Sequence, residues 1–365
     1  MDRPANLEHS ALMASDAAHR RLPLISVVVP VFNEQEVVGQ FHARMGQVLD
    51  EIGLPAEMVF VDDGSSDGTL EALRALREQD PRIAVYSLSR NFGKEIALSA
   101  GLDQAAGDAI VVVDVDLQDP PELIKEFVAR WQEGYDVVYG QRVQRDGETI
   151  AKKVTAFLFY RVMRKLTRVD IPADTGDFRL MSRRVVDALG RCREQHRFMK
   201  GLFAWVGFKQ CAVPYRRDAR AAGTTKFNYW KLWNFALEGI TSFTTAPLKV
   251  ATYVGFVTAA VAFIYLLVIV GKTLIWGNPV DGYPSLMAVM LFLGGIQLLT
   301  IGVLGEYVGR MFDETKGRPL YMLKDALPSG GGATAQPDLF GHLVAPLLQP
   351  SAPAALAPRR NDADR

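Results

Sequence analysis

Between Ile25 and Arg142 the chain alternates short Val- and Ile-rich runs with longer stretches of helical spacing. The apolar runs are ISVVVPVFN (25–33), EMVFVDD (57–63), IAVYSLS (83–89), AIVVVDVD (109–116) and DVVYGQR (136–142). Most of their positions are apolar rather than alternating, as strands buried on both faces require. Between them, 34–52, 67–79, 93–105 and 120–133 carry helix formers with apolar residues three and four apart. Strand–helix alternation at this spacing predicts a mostly parallel α/β sheet joined by right-handed crossovers.

Two later runs follow a different rule. Val250–Val270 is uncharged for 21 residues and Pro284–Gly305 for 22. At about 1.5 Å per residue each reaches roughly 30 Å, the thickness of a bilayer core. They predict a two-helix transmembrane hairpin. Lys249 lies before it and Arg310, Lys316 and Arg318 after it, so the positive-inside rule puts both flanks and the large N-terminal domain in the cytoplasm. Trp276, Tyr283 and Tyr307 sit near the span ends, as interfacial aromatics do. The expected order is a disordered leader (1–23), the α/β domain (24–223) and an interfacial amphipathic helix (224–248). Spans at 249–276 and 284–307 then flank an external loop (277–283), before a cytoplasmic juxtamembrane segment (308–327) and a disordered Pro-rich tail (328–365).

Charge adds a second asymmetry. The 41 basic and 41 acidic residues cancel overall, but residues 1–141 hold 11 Lys/Arg against 24 Asp/Glu, and 142–231 hold 21 against 8. A basic region of this kind faces an anionic partner, whether nucleic acid, lipid headgroup or phosphate. The 2 cysteines, Cys192 and Cys211, exclude a disulfide framework and a cysteine-rich metal site.

In open parallel sheets, ligands bind beyond the carboxyl ends of the strands. The first predicted strand ends in Pro30, Asn33 and Glu34, the second in the turn Asp62-Asp63-Gly64-Ser65-Ser66-Asp67-Gly68, the third in Arg90 to Lys94. The fourth ends in Asp114, Asp116, Gln118 and Asp119. Any one of these is ordinary turn chemistry; four on one edge point to a ligand. Asp114 and Asp116, two apart, share a face if the strand stays regular. Such carboxylates suit a hard divalent cation, Mg²⁺ or Mn²⁺, with Gln118 as a further oxygen ligand. A metal there would screen a diphosphate as it leaves. Paired-carboxylate glycoside hydrolysis is also open from the acids alone. Asp119, followed by Pro120-Pro121, is expected to cap the next helix.

The segments VVVPVFNEQEVV, FVDDGSSDGTL, LSRNFGKEIALSAGLDQAAGDAIVVVDVDLQDPPELI, DTGDFRLMSRRVV and GEYVGR resemble, in order, family 2 glycosyltransferases of GT-A fold. The likeness is to the membrane-anchored polyprenyl-phosphate branch, the GtrB-type bactoprenol glucosyltransferases and dolichol-phosphate mannose synthases, and spans about residues 24–324. It implies that Pro30, Asn33, Glu34 and Asp62 cradle base and ribose, with Lys94 and Asp114 completing the nucleotide site. Asp114, Asp116 and Gln118 match the D-x-D-x-Q metal motif for Mg²⁺ or Mn²⁺. Asp116 and Asp177 fall at the reaction centre, and Arg142, Arg179 and Arg197 are candidate phosphate contacts. The implied reaction is inverting transfer of a sugar, glucose from UDP-glucose, to undecaprenyl phosphate at the cytoplasmic face of a bacterial plasma membrane. GDP-mannose, UDP-GlcNAc and an aminoarabinose donor are the alternatives. The partners are then a nucleotide sugar, polyprenyl phosphate and the bilayer, with no nucleic acid. Gly302, Gly305 and Gly309 offer a helix-contact face for a homo-oligomer. A processive polysaccharide synthase would carry QxxRW and more spans. A non-catalytic membrane scaffold would not be expected to keep Asp62, Asp114, Asp116, Gln118 and Asp177 together.

Overall fold

The computed structural model describes residues 22–143, 175–216, 244–276 and 282–330. Nearly all of the expected leader and of the amphipathic segment 224–248, most of the external loop and the tail from 331 lie outside them.

The predicted alternation is present. β1 (Ile25–Val31), α1 (Val38–Ile52), β2 (Ala56–Asp62), α2 (Thr69–Gln79), β3 (Ile83–Leu88), α3 (Lys94–Gln104) and β4 (Ala109–Val112) follow one another. A 3₁₀ turn (Pro121–Leu123), α4 (Ile124–Gln132) and β5 (Val137–Arg142) come next. Beyond residue 174 lie β6 (Thr175–Ser182), α5 (Arg183–Gly190), α6 (Met199–Trp205) and β7 (Gln210–Tyr215). The hairpin helices are α7 (Ala246–Trp276) and α8 (Tyr283–Thr315), and β8 (Leu323–Leu327) is the last element among the described residues.

The strands form one eight-stranded sheet in the order β7-β5-β6-β4-β1-β2-β3-β8. β1 pairs in parallel with β2 and β4, β2 with β3, and β5 with β7, while β6 and β8 run antiparallel to their neighbours. Successive β1 residues face opposite sides, so Val27 and Val29 pack with Phe41, Phe60 and Phe127 under α1, α2 and α4. Val28 packs on the other face with Leu98, Val185 and Phe203 under α3, α5 and α6. Gly101 brings α3 close to the sheet: a Cβ there would lie 2.3 Å from Val28 Cγ1.

Four features depart from the expectations. β4 stops at Val112 and Leu117 turns the chain with φ 56°, so Asp114 and Asp116 stand on a loop rather than on one strand face. Asp119 does not cap the following helix. Its carboxylate is buried and accepts the Tyr215 hydroxyl from β7, a distant partner that local D-P-P chemistry cannot reveal. β6, central between β4 and β5, lies beyond residue 142, where the predicted strands end.

The fourth departure concerns 308–327. After α8 the chain returns to the domain and adds β8 beside β3. Tyr321 donates its hydroxyl to Asp103 Oδ2 at 3.0 Å, Arg74 pairs with Asp325 at 2.7 Å, and Ser329 reaches the buried Glu57 at 3.1 Å. The segment expected to be juxtamembrane therefore ends as a strand of the main sheet, and the described residues continue past 328 to 330.

α7 and α8, of 31 and 33 residues, are long and apolar enough to cross a membrane, with candidate spans at Pro247–Tyr265 and Phe292–Thr315. Apolar side chains such as Phe256, Ile264 and Leu298 are exposed along them. Tyr307 ties the base of the pair by donating to the Thr244 carbonyl at 2.7 Å. The end of α8 docks on the loop after α5, where Glu314 accepts the Gln195 N–H at 2.7 Å and His196 meets Asp313 at 3.1 Å. Strand directions put the departures after Val143 and Arg216 and the returns at Thr175 and Leu323 on one edge, that of the carboxyl ends of β1–β4.

Candidate active site

The same edge carries the polar cluster. Asn33 takes φ 54°, a left-handed conformation that Asn tolerates better than most residues, and folds the chain after β1 over the loop after β2. Its N–H donates to Ser65 Oγ at 2.9 Å and its Oδ1 accepts the Ser66 N–H at 2.8 Å. Glu34 adds an N–H to Thr69 Oγ1 at 2.9 Å. Beneath them Asp62 is buried, accepting the Ser65 N–H at 3.1 Å and the Ser87 hydroxyl at 2.9 Å. Asn33 and Asp62 thus stitch loops together, and neither lines the cleft that opens beside them.

That cleft, of about 320 Å³, is lined by Pro30, Phe32, Glu34, Asp63, Asn91, Lys94, Asp114 and Asp116 among others. Asp63, the neighbour of the acid singled out from sequence, is the one that faces it. It accepts the Phe92 and Gly93 N–H groups at 2.7 and 2.9 Å, fixing the loop that delivers Lys94. Burial pushes its carboxyl up, against the pull of those two bonds.

Lys94 opens α3 and joins an acid on the loop after β4 to one on β6. Its Nζ lies 2.7 Å from Asp114 Oδ1 and 2.7 Å from Asp177 Oδ2. Asp177 arrives on β6, whose Arg179 pairs in register with Val112 of β4. Burial alone would lower Lys94, but Asp114 and then Asp177 outweigh it and hold the ammonium well above the usual lysine range. Burial likewise opposes charge on Asp177, yet Lys94 and then Lys200 keep its carboxyl far below the ordinary value. Asp114 is the opposite case, raised by burial against the pull of Lys94.

A second layer of charge lies behind these groups. Glu95 accepts the Met199 N–H at 3.3 Å, joining the starts of α3 and α6, and is pushed up to about 7 by burial and then by Asp177. Arg179 is buried, donates to the Gly176 carbonyl at 2.8 Å and lies 3.8 Å over the Phe203 ring; burial brings it down to about 10. Arg142 donates to the Tyr215 hydroxyl at 3.2 Å and lies 3.8 Å from Asp119. Gly176 makes room for that guanidinium, since a Cβ would stand 2.6 Å from its Nη2.

Of the residues predicted from sequence, Pro30, Glu34, Lys94, Asp114 and Asp116 meet in the cleft, with Asp177 bonded to Lys94 behind it and Arg142 and Arg179 flanking. Arg197 does not join them. It is buried, donates to the Cys192 carbonyl, and has Glu194, Asp103 and Arg193 as its charged neighbours, against the α8 docking loop. Gln118 gives its backbone N–H to Asp116 Oδ1 at 3.2 Å, and its side chain makes no hydrogen bond among the described residues. Sequence reasoning placed Asp63 and Asn91 only among the polar strand ends, and missed Phe32, Glu95 and Lys200. The doubled acid in VDDGSSD and the charged pair in FGKE carried a signal for Asp63 and Glu95; nothing local marks Lys200.

No three Asp, Glu, His or Cys side chains converge as a ready metal cage among the described residues. Mg²⁺ sites seldom need one, because one or two carboxylates plus substrate phosphates complete the shell. The donors here are hard carboxylate oxygens, and Asp177 Oδ1 is buried with no partner among the described residues. Asp114 and Asp116 thus fit a divalent ion shared with a diphosphate.

A mostly parallel sheet whose carboxyl edge gathers this cleft, with an antiparallel strand bringing Asp177 beside it, is the arrangement of a GT-A glycosyltransferase. Residues 26–190 match the glycosyl transferase family 2, and residues 246–311 match the GtrB C-terminal hairpin. An uncharacterized glycosyltransferase of Synechocystis is 50% identical over 301 residues, covering 82% of this chain and 95% of that protein. A prophage bactoprenol glucosyl transferase homolog of Escherichia coli K12 is 51% identical over 300 residues, 82% of this chain and 98% of its own length. The bactoprenol glucosyl transferase of Shigella phage SfV is 48% identical over 301 residues, with 82% and 98% covered. A glucosyl-3-phosphoglycerate synthase from Mycobacterium tuberculosis, solved with Mn²⁺ and UDP, superposes at TM-score 0.40 and 21% identity over 66% of this chain and 84% of that one, too loosely to assign residues. The chain belongs to glycosyl transferase family 2, in the branch that carries the GtrB C-terminal hairpin.

Proposed function

We propose that the enzyme transfers glucose from UDP-glucose to undecaprenyl phosphate, with inversion, at the cytoplasmic face of the plasma membrane. The observation that carries this reading is the coincidence of two features on one sheet edge. The Lys94–Asp114–Asp177 cluster lies where the chain leaves for, and returns from, the apolar hairpin. A soluble donor and a membrane-borne acceptor would meet there. The glucosyl group and the lipid acceptor are supported by relatives named bactoprenol glucosyl transferases at 48–51% identity. The orientation is supported by Lys249, Arg310, Lys316 and Arg318 outside the spans.

Pro30, Phe32, Glu34 and Asp63 would hold the nucleoside. Asp114 and Asp116 would hold Mg²⁺ or Mn²⁺, which, when bound, neutralises charge building on the departing diphosphate. A phosphate monoester has its second ionisation near pH 6, so the acceptor oxygen is already nucleophilic at neutral pH. It attacks the anomeric carbon as the bond to the UDP β-phosphate oxygen breaks, and UDP leaves. No proton need be removed from the attacking atom. Asp177, charged and fixed by Lys94, orients the reacting groups rather than serving as a base.

The test is transfer of label from UDP-[¹⁴C]glucose to undecaprenyl phosphate by the full chain in detergent, with GDP-mannose and UDP-GlcNAc as competing donors. Glucose transfer that needs Mg²⁺ or Mn²⁺ and falls at least about a hundredfold in Asp116→Ala supports the reading, on the scale of removing a charge-stabilising group. Undiminished activity of that variant sinks the metal assignment, and preference for another donor sinks the sugar.

A further inference from the structure

Of the cations around Asp177, most are already committed. Lys94 bonds both Asp114 and Asp177. Arg142 is held by Tyr215 and Asp119, and Arg179 by the Gly176 carbonyl and the Phe203 ring. Lys200 differs. It is half-buried in the first turn of α6, and it makes no hydrogen bond or ion pair among the described residues. Its charged surroundings are Asp177 and Lys94 of the cluster, with Glu95 and Arg142 from the layer behind it. Its place is set rather than accidental, because Glu95 pins the neighbouring Met199 N–H at 3.3 Å and Ser99 Oγ lies 3.8 Å from Met199 Sδ.

A partly desolvated ammonium that faces carboxylates but makes no direct bond to them gains a hydrogen-bonded partner when an anion arrives. Lysine presents a compact point charge on a flexible stem, suited to a phosphate oxygen that must be received and later released. We infer that Lys200 is a phosphate-binding residue of the active site, its ammonium taking an oxygen of a substrate phosphate beside Asp177. The inference rests on the proposed transfer between a nucleotide sugar and a lipid phosphate. Two phosphates meet in such a site, the donor's diphosphate and the acceptor's monoester, and both offer the same chemistry to Lys200. Burial lowers the Lys200 pKa, against the pull of Asp177 and Glu95.

The experiment compares wild type, Lys200→Gln and Lys200→Arg, each as the full chain in one detergent. It measures KM for UDP-glucose and for undecaprenyl phosphate, and Kd for UDP and for undecaprenyl phosphate by calorimetry. Lys200→Gln is expected to weaken one phosphate ligand about tenfold or more, with the other within about twofold, on the scale of one charge-assisted hydrogen bond. Lys200→Arg should recover most of the loss, since the charge returns. Loss confined to undecaprenyl phosphate assigns the acceptor, and loss confined to UDP and UDP-glucose assigns the donor. The inference is overturned if Lys200→Gln leaves every constant within about twofold, or if Lys200→Arg falls as far as Lys200→Gln. Lys200-dependent UDP binding by a wild type that glucosylates no lipid phosphate would refute the transfer reading alone. Wild-type kcat/KM for both substrates in Lys200→Gln would refute this inference alone.

Discussion

Replacing Lys94 with Met removes the cation between two carboxylates while keeping most of the side chain's volume. Breaking a buried pair from one side costs about 3–5 kcal/mol, and an exposed pair about 0–1. Lys94 lies between these limits: its side chain is 45% exposed, while those of Asp114 and Asp177 are 25% and 10% exposed. Solvent screening on the lysine side brings the expected loss to about 2 kcal/mol at pH 7. For a domain of this size that corresponds to a fall of about 4–8 °C in melting temperature. The pH dependence has a definite sign. In the wild type the depressed Asp177 carboxyl contributes stability above its unfolded value, near pH 4, and that contribution is lost as pH falls towards the folded value. The variant lacks most of this contribution, so the gap between the two proteins should narrow on acidification. Lys94 also occupies the charge position a divalent ion would share, so millimolar Mn²⁺ should raise the variant's melting temperature more than the wild type's. Thermal unfolding of the full chain in detergent, at about pH 3 and pH 7 with and without Mn²⁺, reads all three effects. A variant that melts within about 1 °C of wild type at pH 7 would refute the bridging role.

Two further perturbations test the layers behind the site. Glu95 titrates near 7 in the folded protein and near 4.3 unfolded, so the unfolded chain sheds its proton first and wild-type stability should fall as pH rises between those values. Glu95→Gln should lack that decline and gain on wild type up to pH 7, with no further gain above it; parallel melting curves from pH 5 to 8 would contradict this. Gly101→Ala would drive a Cβ to 2.3 Å from Val28 Cγ1 and 3.2 Å from Val61 Cγ2. Overpacking of about 1–3 kcal/mol should outweigh the roughly 1 kcal/mol helix gain of Ala over Gly, and Val28→Ala should rescue the double variant in denaturant melts.

The strands legible from sequence share one property: β1 to β4 are covered on both faces by helices, and continuous apolar runs record that burial. β6 is covered as well, yet TGDFRLMS alternates. Phe178 and Leu180 face the core under α4, while Asp177 and Arg179 face the charged layer and Phe203. A central strand that carries the chemistry therefore breaks the apolar signature of a central strand. Asp177 was legible through its DTGDFRL motif, whereas its strand was hidden by the same residues. β8 was hidden for another reason. LKDAL is short, and its partner β3 lies more than 230 residues earlier in the chain, so no local period records the pairing.

That late pairing bears on how the site reaches its acceptor. If the chain ended as a free interfacial segment after α8, the α/β domain would hang from the hairpin by its N-terminal connection alone. Instead α8 is followed within a few residues by buried Leu320 and Tyr321 and then by β8, whose hydrogen bonds run along β3. Tyr321 grips Asp103 at the end of α3, the helix that begins with Lys94 and Glu95. Glu314 and Asp313 hold the loop between α5 and α6, the latter carrying Lys200. The hairpin is thus braced against the two helices that supply the cluster's cations. Such bracing fixes the height and tilt of the cleft relative to the apolar spans, which is the geometric requirement for a lipid-borne phosphate to meet a donor held in a soluble domain.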